Sequence, residues 1–500
     1  MLMQRCVGPL LVVVVSCGGE RAGGGGTVED GGPGRTTDAG PRNSAPRYAD
    51  GLTLRAVTAY QGVAVPLFHD GAEVPPAARG TPLLRGREGV LELMIDVGSA
   101  WMPAPVTAAV VVVDGAGVEH TAPVTDTVGR PAPGSEVRWA VPLPAALLVD
   151  GGRLRVALTT ETGTAVGPSG THAARAPHDG TTLDLGLVAA HPLRVHLVPV
   201  AYTRGGVTRS PDVGEVQLTR IRAALGAFYP AGEVTVEVGD PLPWSGGLTF
   251  WGNVDFDALN DTLYDLRVAD APADDVYYYG LIVPADTMDD YCGWGCVTGQ
   301  SWVADDPADA ELRVGAGMGF TGEDSVLTLV HELGHMHGRY HAPCEVDDPD
   351  PDYPYAGGKT GVWGWDRRDG SFRDPAVSTD FMGYCDANWV SDYTWTALHA
   401  RLAALDTGAQ PRTAPPRLLR RLHLADDGGT RWGGAAWTPR FSSGVTATAR
   451  FLDGNGRELG RTPVPVVARS HGGRTAWVPM HAAAAVEIVV GDRRWRAVEP

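Results

Sequence analysis

Positive charge is scarce in this chain of 500 residues, where 41 Lys plus Arg stand against 59 Asp plus Glu for a formal net charge of -18. The field of such a molecule repels phosphate polymers and anionic bilayers, which argues against nucleic acid as a partner. Charge of either sign is also sparse, at 20% of residues against 43% hydrophobic. That globular balance excludes general disorder, collagen and a long coiled coil. Cysteine is rare, with six in all. No stretch reaches the roughly 18 uninterrupted apolar residues that span a bilayer as a helix, and no internal repeat is found. What the chain has in quantity is turn chemistry. Its 66 Gly and 39 Pro make up about a fifth of the residues, which favours many short strands over long helices. Length sets a prior of about two to four domains.

Arg5 and the apolar stretch from Leu10 to Val15 read as an export signal, too short to cross a membrane. The quartet Val14-Val15-Ser16-Cys17 resembles a bacterial lipobox. That resemblance implies a lipoprotein signal peptide over residues 1–16, lipidation of Cys17, and contact with the membrane of the cell envelope or surface through the lipid alone. Secretion without the lipid is the alternative. Residues 17–47 are Gly-rich, polar and aperiodic, as in a flexible tether. Four cysteines then remain, Cys292, Cys296, Cys344 and Cys385. An even number in an exported chain favours disulfides. Of the three possible pairings, local spacing favours Cys292 with Cys296 and Cys344 with Cys385. The rival, one zinc site of four thiolates, lacks two CxxC pairs.

The patterning predicts an α+β multidomain chain in the order β, α/β, β. From 48 to 190, short apolar or alternating runs between Gly/Pro turns, among them Leu52 to Thr58, Leu91 to Val97, Ala108 to Val113 and Leu154 to Leu158, predict a β-sandwich of immunoglobulin-like type. From 191 to 407 strands alternate with helices. Strands are expected at Leu193 to Val200, Glu233 to Val238 and Val276 to Val283. Helices are expected at Val213 to Phe228, with Val216, Ile221, Leu225 and Phe228 on one stripe, and around Phe256 to Val268. A Pro-rich linker over 408–416 leads to a second β-sandwich over 417–500, with strands at Val445 to Leu452, Val464 to Ala468 and Val486 to Val490. Eight of the 14 Trp fall between Trp244 and Trp395, and core packing is the expected use for most.

The chemistry lies in Thr321 to His341, TGEDSVLTLVHELGHMHGRYH. Thr321 with Asp324 is a capping pattern, and Val326, Leu327, Val330 and Leu333 recur at helical spacing. Four residues advance a helix by about 400°, so His331 and His335 share a face one turn apart, a suitable bite for one zinc ion. Glu332 is rotated by about 100° from His331. It can flank the metal without binding it and take a proton from water. Gly338 permits the left-handed turn that brings His341 back. Three imidazoles with an open fourth position make the ligand count of a catalytic zinc. His337 lies about 200° from His335 and is expected to be solvated or hydrogen-bonded instead. With 14 His and 66 Gly in 500 residues, the five fixed positions of HExxHxxGxxH arise by chance roughly five times in 100,000 such chains. The acidic loop Asp347 to Asp352 offers oxygen ligands for calcium, but without EF-hand spacing it reads as a solvated loop.

His331, Glu332, His335, Gly338 and His341 match the extended motif of the metzincin zinc endopeptidases, which the chain resembles over about 60 residues. The resemblance implies a metzincin-like zinc protease domain over 191–407. It makes Met382, in Asp380-Phe381-Met382-Gly383-Tyr384-Cys385, the methionine of the Met-turn, an apolar floor beneath the histidines. Tyr384 falls where astacin-like and serralysin-like members carry a tyrosine that approaches the zinc or the oxyanion. A Cys344–Cys385 bridge would then tie the third-ligand loop to the Met-turn. Ala342 follows the third histidine, where matrixins show Ser, adamalysins Asp, serralysins Pro and astacins Glu, so the likeness is to the clan. With its preceding β region and TDFMGYCDANWVSDYTW, the chain looks most like exported bacterial metzincins related to the mucin-cleaving group. No upstream thiol is left for a cysteine-switch propeptide.

The implied activity is zinc-dependent hydrolysis of peptide bonds in extracellular proteins or glycoproteins, with Glu332 as base and Tyr384 at the oxyanion. The strand region Val297 to Val303 is expected to be an edge strand that pairs with extended substrate. The competing reading is a surface-anchored protein that binds a polymer or glycoprotein and keeps a structural or vestigial zinc site.

Overall fold

The computed structural model describes residues 47–132, 136–167, 170–249, 252–293, 295–406, 416–438 and 441–499. The expected signal peptide, Cys17 and the tether to residue 46 lie outside these residues, as do residue 407 and 408–415 of the expected linker. Ala45–Pro500 form one compact unit. Among the described residues no helix is long and apolar enough to cross a membrane.

Strands dominate. Alternation between 48 and 190 is realised as two antiparallel sheets around one core. One has the order Ala72–Glu73, Ala64–His69, Leu52–Tyr60, Gly89–Val97, Val137–Leu143; the other runs Thr164–Ala165, Arg47–Tyr48, Arg153–Thr159, Ala104–Val113, Glu119–Val128. Leu54, Leu91 and Leu93 of the first sheet meet Val106, Val110, Leu154 and Val156 of the second. Burying each such side chain contributes about 2 kcal/mol.

The middle of the chain contains β1 (His191–Arg204), α1 (Glu215–Phe228), β2 (Ala231–Val238), α2 (Phe256–Asp270), β3 (Val276–Ile282), β4 (Gly299–Ser301), β5 (Val314–Met318) and α3 (Glu323–Met336). Two short strands, β6 (Thr379–Asp380) and β7 (Asn388–Trp389), precede α4 (Asp392–Asp406). β1 pairs in parallel with β2 on one side and β3 on the other, β3 pairs in parallel with β5, and β4 closes the edge antiparallel to β5. Helices cover both faces. Leu225 of α1, Val330 and Leu333 of α3 and Leu398 of α4 fill one side, and Leu259 and Leu263 of α2 fill the other. The stripe of α1 departs from expectation. Leu218, Ile221, Leu225 and Phe228 are buried, whereas Val216 is 69% exposed, because it stands two residues, about 200° of arc, from Leu218. Trp302, Trp389 and Trp395 are fully buried in these layers.

The C-terminal region corrects a second expectation. It is one sheet of seven strands, ordered Thr430–Thr438, β8 (Arg417–Leu424), β10 (Arg474–Pro479), β9 (Glu458–Ala468), Val445–Leu452, Ala485–Val490, Arg493–Val498. The sheet curls until its edges meet. Trp432 Nε1 donates to the Val498 carbonyl at 2.9 Å and Thr430 Oγ1 to that of Arg496 at 3.2 Å. Leu422, Val464, Val486, Ile488 and Trp495 lie within the curl. Strand periodicity is the same whether two sheets stack or one bends round, so the pattern alone did not separate a sandwich from a curled sheet. Leu419, Val467 and Trp477 of this sheet share a hydrophobic cluster with Tyr264 of α2 and with Trp302.

Candidate metal centre

α3 carries the site. Its expected cap does not form: Gly322 stands at the N-cap without a side-chain bond, and Thr321 Oγ1 donates to Asp212 at 2.6 Å. Glu323 and Asp324 instead place negative charge in the first turn, where the helix dipole favours it. His331, Glu332 and His335 are all buried.

Gly338 has φ +79°, the left-handed turn the motif requires. The turn also orients a ligand. The Arg339 carbonyl accepts from His335 Nδ1 at 2.7 Å, and the Phe381 carbonyl accepts from His331 Nδ1 at 2.8 Å. Carbonyl acceptors fix the proton of each ring on Nδ1 and leave Nε2 as a bare lone pair. Yet His335 Nε2 lies 3.1 Å from His331 Nε2 and 3.2 Å from His341 Nε2. Lone pairs converging at that distance repel unless a cation lies among them, so the donor set fits a metal ion. Desolvation lowers the pKa of His331, lowers that of His335 well below its ordinary value with help from the neighbouring imidazoles, and lowers that of His341 to about 3. All three are thereby kept neutral, as metal ligation needs. These three rings, and the overlapping set His331, Glu332 and His471, are the groups able to hold a metal ion among the described residues. The acidic loop forms no such group. In it, Asp350 pairs with Arg339 at 3.2 Å, accepts from Tyr393 at 3.0 Å, and donates its backbone N–H to the His341 carbonyl at 2.7 Å. It braces the third-ligand loop.

Met382 lies in the turn after β6, 1% exposed, with its backbone N–H on Asp380 Oδ1 at 2.9 Å and its carbonyl accepting from Ala342 at 3.1 Å. Asp380, fully buried, also accepts the Ser391 N–H at 2.9 Å. The cystines are Cys344–Cys385 and Cys292–Cys296. The first joins the loop after His341 to the Met382 turn, and the second closes a short loop before β4. His337 is buried, with Nδ1 donating to the Leu333 carbonyl at 2.8 Å and its ring stacked on Tyr277 at 4.4 Å. It is hydrogen-bonded and not solvated.

The Glu332 carboxylate is gripped on both oxygens, by Ser301 Oγ at 2.7 Å and by His471 Nε2 at 3.0 Å. Desolvation alone would raise its pKa, but the His471 hydrogen bond and the neighbouring imidazoles outweigh it and hold the carboxyl far below its ordinary range. Tyr384 places its hydroxyl 3.0 Å from His341 Nε2 and 3.0 Å from His471 Nδ1; burial, with Glu332 nearby, pushes its pKa up. His471 and Asp380 have no counterpart in the sequence reading. Ser470-His471-Gly472-Gly473 marks a turn between β9 and β10, but nothing local says what that turn touches.

β4 is an edge strand, as expected, yet its outer side is largely taken. Ser301 donates its N–H to Ser470 Oγ at 3.1 Å, Ser470 donates to the Ser301 carbonyl at 3.0 Å, and Val303 donates to the Ala468 carbonyl at 3.0 Å. Val297 donates to Asn253 Oδ1 at 3.0 Å and accepts from the Tyr291 hydroxyl at 2.9 Å. Pairing of substrate along Val297 to Val303 is therefore displaced by the chain's own contacts.

Residues 313–414 match the family model of Peptidase M66, a family of metallopeptidases. The match spans α3, the three histidines, the Met382 turn and α4, and it supports a peptidase. No curated protein matches the chain. A solved structure described as "Crystal structure of putative beta-galactosidase from bacteroides fragilis" is 10% identical over 89% of this chain and 72% of that one, with a TM-score of 0.12, too slight a likeness to carry any argument.

Proposed function

We propose that the protein is a zinc-dependent endopeptidase of metzincin type, acting on extracellular proteins or glycoproteins and exported as a lipoprotein through Cys17. The observation that carries this reading is the convergence of three imidazole Nε2 atoms at 3.1 and 3.2 Å, those of His331 and His335 left bare by the carbonyls that hold their Nδ1 protons, beside a buried carboxylate on the same helix. His331, His335 and His341 would hold the ion, which supplies Lewis acidity toward water and the scissile carbonyl at neutral pH. Glu332 accepts the proton of the attacking water at a carboxylate oxygen and passes it to the departing amine nitrogen. Ser301 and His471 fix that carboxylate without using all its lone pairs. The Tyr384 hydroxyl, whose one proton points to His471 Nδ1 in the resting site, would turn it toward the developing oxyanion at the rim. Met382 keeps the floor apolar and dry.

The test is digestion of casein and of mucin by the wild type, with and without chelator, and by Glu332→Gln. Chelation should stop cleavage and zinc should restore it. Glu332→Gln should retain one metal ion while losing about 10²- to 10⁴-fold in rate. Substantial cleavage by purified Glu332→Gln would sink the assignment.

A further inference from the structure

The β9–β10 turn of the C-terminal sheet enters the site. Ala468 and Ser470 bond the edge of β4 through Val303 and Ser301, and Trp302 and Arg469 form an antiparallel bridge. The next side chain, His471, is 19% exposed and touches two groups at once: its Nε2 lies 3.0 Å from Glu332 Oε1 and its Nδ1 lies 3.0 Å from the Tyr384 hydroxyl. An ionised carboxylate only accepts, so Nε2 carries the ring proton and Nδ1 is left to accept from the phenol. One imidazole thereby sets the position of both Glu332 and Tyr384.

The contact is built to stay. Arg469 pairs with Asp257 in the first turn of α2. Behind it, Trp302 Nε1 donates to Thr475 Oγ1 at 3.1 Å, Thr475 lies 3.2 Å from His423, and His423 Nε2 lies 3.1 Å from Asp261. The fully buried guanidinium of Arg421 holds Asp265 at 2.9 Å. Buried polar networks of this kind fix register between elements, and a lid that swings away would leave them unpaired.

We propose that His471 is a positioning residue of the hydrolytic site, so that the C-terminal β region is a required half of the active centre. The proposal rests on the peptidase reading above. It is tested on the full chain with His471→Ala and His471→Gln, measuring bound metal, unfolding midpoint, kcat and KM. His471→Ala should keep its metal and KM and lose roughly 10- to 100-fold in kcat; His471→Gln, which retains an N–H donor, should recover part of that loss. Unchanged or increased kcat in His471→Ala would overturn the proposal, the latter by making the turn a plug. So would loss of the metal in both variants, by making His471 a ligand.

A second readout does not need activity. In the metal-free, ¹⁵N-histidine-labelled chain, the His471 signals, assigned by their absence in His471→Ala, should show the Nε2-protonated tautomer. They should move in both Glu332→Gln and Tyr384→Phe. Signals indifferent to both substitutions refute the positioning role. If no variant, wild type included, cleaves protein while these shifts appear, it is the peptidase reading that fails and not the contact.

Discussion

The sulfur of Met382 lies 2.3 Å from the point a β-carbon on Gly334 would occupy. At Gly334, between the first two histidines, α3 therefore presents only backbone to Met382: the floor of the site reaches the helix itself.

Gly334→Ala should disrupt the site although alanine is the better helix former by about 1 kcal/mol. The added methyl has to push Met382 or tilt the helix, a strain of about 1–3 kcal/mol. Urea unfolding should show a net loss of stability, and metal analysis a weakened site. A Gly334→Ala protein more stable than wild type, with full metal content, would contradict the packing described.

The Cys344–Cys385 bridge closes a sequence separation of 41 residues. Chain entropy assigns such a loop a stabilisation of about 4 kcal/mol at most. The double variant Cys344→Ser, Cys385→Ser should lose about 2–4 kcal/mol in denaturant titration and release metal more readily, since the bridge joins the His341 loop to the Met382 turn. Replacing Cys292 and Cys296 should leave metal retention unchanged.

Acid should destabilise the fold through His337. Desolvation lowers its pKa from 6.5 to about 3, and its Nε2 has no hydrogen-bond partner among the described residues. The unfolded chain binds a proton here below its ordinary pKa and the folded chain does not. This contribution is full above pH 6.5, falls as pH drops toward about 3, and levels off below that. The slope approaches about 1.4 kcal/mol per pH unit. His337→Phe, which keeps the ring against Tyr277, should lose stability less steeply than wild type as pH falls across that window. Equal slopes would remove His337 from the account.

Truncation after residue 406 should leave an insoluble or uncooperative chain. It uncovers Trp302 and Tyr264, which share a hydrophobic cluster with Trp477 and Leu419. A soluble truncated protein with a sharp thermal transition would show that the C-terminal sheet is dispensable to the fold.

The sequence could speak clearly about α3 because metal-ligand spacing is local: two histidines one turn apart and a glycine before the third are written within eleven positions. The Met382 turn was legible through resemblance. The strands of the flanking regions were legible through alternation, but the curl of the C-terminal sheet was not, because bending changes which strands are neighbours and leaves the period alone. His471 was silent for a related reason. It lies about 140 positions from Glu332, and a histidine in a hairpin turn shows its partner only once the two sheets are docked. Asp380 reads as an ordinary polar residue until the backbone N–H groups it holds are in place.

The bonds along β4 bear on selection as well as catalysis. A peptide laid against an open strand is held by its main chain, which is the same in every protein, and such an enzyme sorts its targets weakly. Here Val297, Ser301 and Val303 are engaged by Asn253, Tyr291, Ser470 and Ala468, so that side offers no continuous ladder. A peptide drawn to this edge would find its main chain without that ladder, and its side chains or attached groups would have to supply the difference.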